Sequence, residues 1–66
     1  MTTVYENKNN PELSIVKLDD KTLQDGGITV TDVGVGFLAK AWNGKEVYID
    51  DEMVKQMVIM MQNRKD

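Results

Sequence analysis

Apolar and polar positions change their period twice along this chain. Leu13-Ser14-Ile15-Val16-Lys17-Leu18 is a short run with β-branched centres and predicts a strand. Asp19 to Gly27 interrupts it, and Asp25-Gly26-Gly27 carries the positive-φ tolerance of a tight turn. From Ile28 to Ala41 the pattern is again of β type. Ile28 and Val30 share one parity, whereas Val33, Val35, Phe37, Ala39 and Ala41 share the other. The phase slips near Thr31-Asp32, so a continuous strand needs a bulge there, with Gly34 and Gly36 allowing it to coil. Two strands with a turn around Asp32 are the alternative. Asn43-Gly44 then predicts a type I′ hairpin with a two-residue loop, leading into Lys45-Glu46-Val47-Tyr48-Ile49. That loop length sets Ala41 opposite Glu46, Lys40 opposite Val47, Ala39 opposite Tyr48 and Leu38 opposite Ile49.

After Ile49 the period becomes helical. Asp50-Asp51-Glu52 supplies capping groups and negative charge at the positive end of a helix, and Arg64-Lys65 supplies cations at the other end. At 100° per residue, Met53, Val54, Met57, Val58, Met60 and Met61 fall within an arc of roughly 160°. This stripe is expected to pack on the sheet, with Ile59 left among Lys55, Gln56, Gln62 and Asn63. The expected fold class is α+β: a small antiparallel sheet of three to five strands, the Asn43-Gly44 hairpin, and one C-terminal helix packed on it. Residues 1–12 read as a flexible tail or an edge strand around Thr2-Thr3-Val4-Tyr5, and residues 13–66 as a single domain.

Chain length sharpens the question of what covers this sheet. Sixty-six residues support one small core, and chains of that size commonly need a disulfide, a metal or a partner subunit. There is no cysteine. With the register above, one face carries Leu38, Trp42, Val47 and Ile49, and the other Val33, Val35, Phe37, Ala39 and Tyr48. One helix covers one of these faces. Either the N-terminal strands close over the second as a barrel or sandwich, or another copy or a partner protein covers it.

Candidate chemistry is sparse. Histidine and cysteine are absent and Ser14 is the only serine, so no nucleophile-and-base pair of the usual kind can be assembled. The chain is expected not to be an enzyme and to use no cofactor. Asp19, Asp20 and Asp25 lack the alternating spacing of a calcium loop, so no metal is expected either. A net charge of −3 disfavours nucleic acid and suits a basic protein partner. With neither a long apolar run nor a leader pattern, the expected compartment is the cytoplasm, with no membrane partner.

Two sets of residues stand out as binding candidates. Phe37, Trp42, Tyr48 and Ile59 are apolar anchors for a protein partner, with Asp50, Asp51 and Glu52 as charged complements. Lys40, Trp42 and Lys45 around the hairpin tip, with Tyr48 nearby, form the alternative, a stacking platform flanked by cations for single-stranded nucleic acid. The strand-strand-strand-helix order over roughly residues 13–64 resembles the single-strand-binding core of the positive-coactivator type of transcription coactivator. In size and make-up the chain resembles the accessory inhibitors that phages encode against host or defence enzymes. These resemblances imply, respectively, a dimeric nucleic-acid module and a homo-oligomer that binds and inhibits or modulates a larger protein. The second is preferred. A third expectation is a small-ligand pocket between subunits, with Gly34 and Gly36 admitting the ligand to the backbone.

Overall fold

The computed structural model describes residues 1–64. Six strands run β1 (Thr2–Tyr5), β2 (Ile15–Asp19), β3 (Thr22–Asp25), β4 (Ile28–Asp32), β5 (Gly36–Ala41) and β6 (Glu46–Asp50), and helix α1 (Asp51–Gln62) follows. They form one antiparallel sheet in the order β1-β2-β3-β4-β5-β6, a meander in which every strand pairs with its neighbours in the chain. The fold is α+β as expected, but with six strands rather than three to five, and the coactivator-like element order does not hold. The N-terminal segment contributes edge strand β1 and a single 3-10 turn at Pro11–Leu13. It lengthens the sheet instead of closing it.

The extra strands have local causes. Within the stretch expected to be loop, Thr22-Leu23-Gln24-Asp25 pairs on both sides, with β2 and with β4. The turn before it is tied by the Lys21 N–H donating to Asp19 Oδ1 at 2.8 Å. The turn after it uses Gly26 at φ +60°. Ile28–Ala41 is not one bulged strand. Asp32 pairs with Phe37 across a four-residue loop, closed by the Val33 N–H donating to the Gly36 carbonyl at 3.0 Å. The Gly34 N–H donates to Asp32 Oδ1 at 2.8 Å inside this loop.

The hairpin at Asn43-Gly44 has three loop residues, not two. Ala41 N–H donates to the Lys45 carbonyl at 2.8 Å and Gly44 N–H to the Ala41 carbonyl at 3.0 Å. Only Gly44 takes positive φ, at +88°. This is a three-residue loop with a glycine bulge rather than a type I′ turn. The register therefore moves by one: Lys40 pairs with Glu46, Ala39 with Val47, Leu38 with Tyr48 and Phe37 with Ile49.

A one-residue slip moves every side chain of a strand to the opposite face, and here it redistributes the whole sheet. Ladder partners share a face. Leu23, Val30, Ala39 and Val47 form one row across four strands, and Phe37 with Ile49 and Ile28 with Ala41 lie on the same side. The opposite face carries Thr22, Gln24, Thr29, Thr31, Lys40 and Glu46, with Val16, Leu38 and Tyr48 among them. The sheet thus has one mainly apolar face, which also carries Lys17, Asp25 and Asp32 on β2 to β4, and one mainly polar face. The expectation of two apolar faces is corrected.

Helix α1 begins without a linker. Asp50, the last residue of β6, caps it by accepting the Met53 N–H on Oδ1 at 2.8 Å, and Asp51 and Glu52 occupy the first turn. The Asn63 N–H closes the other end onto the Ile59 carbonyl at 3.1 Å. Arg64 follows the helix, whereas Lys65 lies outside the described residues. The main contacts of α1 are with β6 and β5. Its apolar stripe does not seat on the sheet as expected: Val54 is half-buried, and Met53, Met57, Val58, Met60 and Met61 are exposed. Among the described residues no apolar side chain is fully buried. The radius of gyration is 13.0 Å, against about 10.8 Å for a globular chain of this length.

Candidate apolar interface

The four residues expected as protein anchors lie in four places. Trp42 stands at the tip of the β5–β6 hairpin and is 84 % exposed. Its Cβ, Cγ and Cδ1 lie over Gly27, where an added Cβ would meet them at 3.1 to 3.4 Å. The indole therefore has a seat on the β3–β4 turn and leaves most of its surface open. Phe37 is half-buried on the apolar face beside Ile49. Ile59 is exposed on α1. Tyr48 lies on the mainly polar face, where its hydroxyl donates to the Val35 carbonyl at 2.7 Å. It packs against Gly36, whose missing Cβ would sit 2.8 Å from the Tyr48 hydroxyl and 2.6 Å from the Ile49 carbonyl oxygen. Tyr48 thus braces the β4–β5 loop.

The acidic trio has structural duties at the helix start. Asp50 is the N-cap, and Glu52 forms an i,i+3 ion pair with Lys55 at 3.8 Å. Both side chains of that pair are well exposed, so it contributes little. The Asp19 carboxyl is held below its ordinary value of 3.8, first by the Lys21 backbone N–H and then by the Thr22 side chain. No group of three or more metal-ligating side chains assembles among the described residues.

The residues named for a cationic platform, Lys40, Trp42, Lys45 and Tyr48, lie on or beside the β5–β6 hairpin. Lys40 lies directly across from Glu46 in the ladder. Lys45 precedes Glu46 and turns to the other side by strand alternation. Tyr48 shares the Lys40 face rather than lying on its reverse.

What the fold does assemble is an apolar surface in two parts, of which the helix stripe and Phe37 were legible in the sequence and Leu23 and Val30 were not. One part is the sheet face, where Leu23, Val30 and Phe37 line a hollow of about 250 Å³ whose rim is polar, formed by Lys17, Asp19, Asp20, Lys21, Thr22 and Asp32. The other is the helix stripe, where Val54, Met57, Val58, Met60 and Met61 with Arg64 border a hollow of about 400 Å³. Leu23 and Val30 could have been found only from the true register, because their membership of one face depends on strand pairing. No helix of the described residues is long and apolar enough to cross a membrane. The chain matches no protein family, no curated protein and no solved structure.

Proposed function

We propose that the chain is a non-catalytic, self-associating interaction protein that binds and modulates a larger protein. One observation carries the reading. The chain exposes 5682 Å², whereas a globular monomer of 7.5 kDa exposes about 4,200 Å². The excess of about 1,400 Å² is comparable to what one partner buries in an obligate interface. It coincides with apolar side chains on the sheet and on α1. Exposed apolar side chains gathered on the sheet face and along α1 favour association over solvation. Trp42, distant in the chain from the helix stripe and nearly fully exposed, is the anchor left for the larger partner, since aromatic anchors dominate interface energy.

Light scattering on the purified chain gives the first test, with a mass at a clean multiple of 7.5 kDa expected. A monomer that still melts cooperatively at micromolar concentration refutes self-association. For the second contact, Trp42→Ala is expected to keep that mass while losing at least tenfold in affinity for a bound target, as a ~2 kcal/mol anchor implies. Equal capture of the target by wild type and Trp42→Ala removes Trp42 from the role.

A further inference from the structure

The self-association just proposed leaves open which surfaces meet, and the fold narrows the answer. We infer that the apolar sheet face of one copy is covered by helix α1 of a second copy, in a two-fold dimer that makes this contact twice. The inference rests on the self-association reading.

Within one chain the helix does not do this. It starts at the last residue of β6 with no linker and makes its main contacts with β6 and β5. The sheet extends about 24 Å across its six strands, and a twelve-residue helix is about 18 Å long. From the β6 edge, α1 leaves Leu23 and its neighbours on β2 and β3 uncovered, and Leu23 is 42 % exposed. A helix arriving from another copy has no such tether.

The other pairings of two identical copies each satisfy half of the surface. Sheet against sheet hides the apolar faces and leaves both methionine stripes in water. Helix against helix does the reverse. Helix on sheet hides both surfaces with one symmetry operation, as an isologous interface must. The excess area of about 1,400 Å² per chain is of the size required for two such contacts. Methionine suits such a contact, because Met57, Met60 and Met61 are unbranched and fit an irregular, twisted sheet surface.

The absence of cysteine makes the contact directly readable, since every disulfide formed by single-cysteine variants is between chains. Leu23→Cys and Met57→Cys place the thiols on the sheet face and the helix stripe, at positions 42 % and 50 % exposed. The two variants are refolded together in equal amounts and oxidised. The expected product is the mixed 23–57 disulfide, several-fold over either homodimeric disulfide, with a light-scattering mass of two chains. Lys55→Cys, on the far side of the helix, paired with Leu23→Cys is expected to give no such excess. A dimer in which 23–23 or 57–57 disulfides equal or exceed the mixed one overturns the inference and leaves self-association standing, as does a dimer with no mixed disulfide. A mass above two chains overturns the two-fold arrangement. A monomer brings down both readings.

Discussion

Replacing Gly36 by alanine tests how closely β5 and β6 approach at the start of their ladder. Gly36 pairs with Asp50 and sits at φ +155°, in a region that side chains rarely enter. A non-glycine residue held in such backbone costs of order 1–3 kcal/mol. The new methyl also has to clear the Ile49 carbonyl oxygen, 2.6 Å from the ideal Cβ position, and the Asp50 Cα at 3.0 Å. Both are backbone atoms of a paired strand and yield only if the ladder opens. The lower entropy of unfolded alanine returns about 0.4–1 kcal/mol. With about 1–3 kcal/mol more for the collision, the net loss is about 2–4 kcal/mol, or a drop in Tm of about 10–20 °C for a chain of this size. Gly34 supplies the control. It also has positive φ, at +91°, but an added Cβ there meets nothing within 4 Å. Gly34→Ala thus carries the conformational cost without the collision, about 1 kcal/mol and roughly 5 °C. Thermal melts by circular dichroism at one fixed chain concentration compare the two, because the proposed self-association would make Tm depend on concentration. Equal drops in Tm for both variants would refute the close approach.

Three further outcomes are expected. Asp50→Ala removes the acceptor of the Met53 N–H and should cost about 1 kcal/mol in urea unfolding, while Asp50→Asn retains most of it; equal losses for both would show that capping is not its role. The Asp19 carboxylate, with its folded pKa lowered from 3.8 by the Lys21 N–H, contributes stability that is present above 3.8 and lost as pH falls through the lowered value. An NMR titration should therefore place its midpoint below 3.8 in the folded chain, and a midpoint at or above that value contradicts the turn geometry. Oxidation of the exposed methionines to sulfoxides makes the helix stripe polar, so mild peroxide should shift the light-scattering mass toward a single chain, and an unchanged mass with Met57, Met60 and Met61 oxidised counts against the stripe as an interface.

The sequence was most informative where a local interaction decides the structure. Asp50 as a helix cap is written in Asp50-Asp51-Glu52 and the apolar period that follows it, and the cap hydrogen bond forms as expected. The position of the last hairpin was legible in Asn43-Gly44, but its loop length was not. Asn43 accepts the Lys45 N–H on its side chain at 3.1 Å and keeps negative φ, leaving Gly44 alone to take the bulge. That single residue of loop length decided which face held Phe37 and which held Tyr48, and so every later inference about covered and uncovered faces. Strand β3 was illegible for a different reason. Thr22-Leu23-Gln24-Asp25 has one large apolar residue and polar neighbours, and it is held by ladders on both sides rather than by its own propensity. The helix stripe was legible as a stripe. Its destination was not, because amphipathic period says that a face will be buried and does not say by which chain.

The meander has a kinetic consequence. Each strand pairs only with the strands beside it in the chain, so the sheet can grow hairpin by hairpin, and each step closes a short loop at small entropic cost. Helix α1 comes after all six strands. In the dimer proposed above, folding and assembly would then separate in time: a fast unimolecular phase independent of protein concentration, followed by a slower phase whose rate rises with it. Between the two phases the sheet would be complete while its mainly apolar face was still open to solvent. The abundance of the chain would set the length of that interval, and dilution would prolong it.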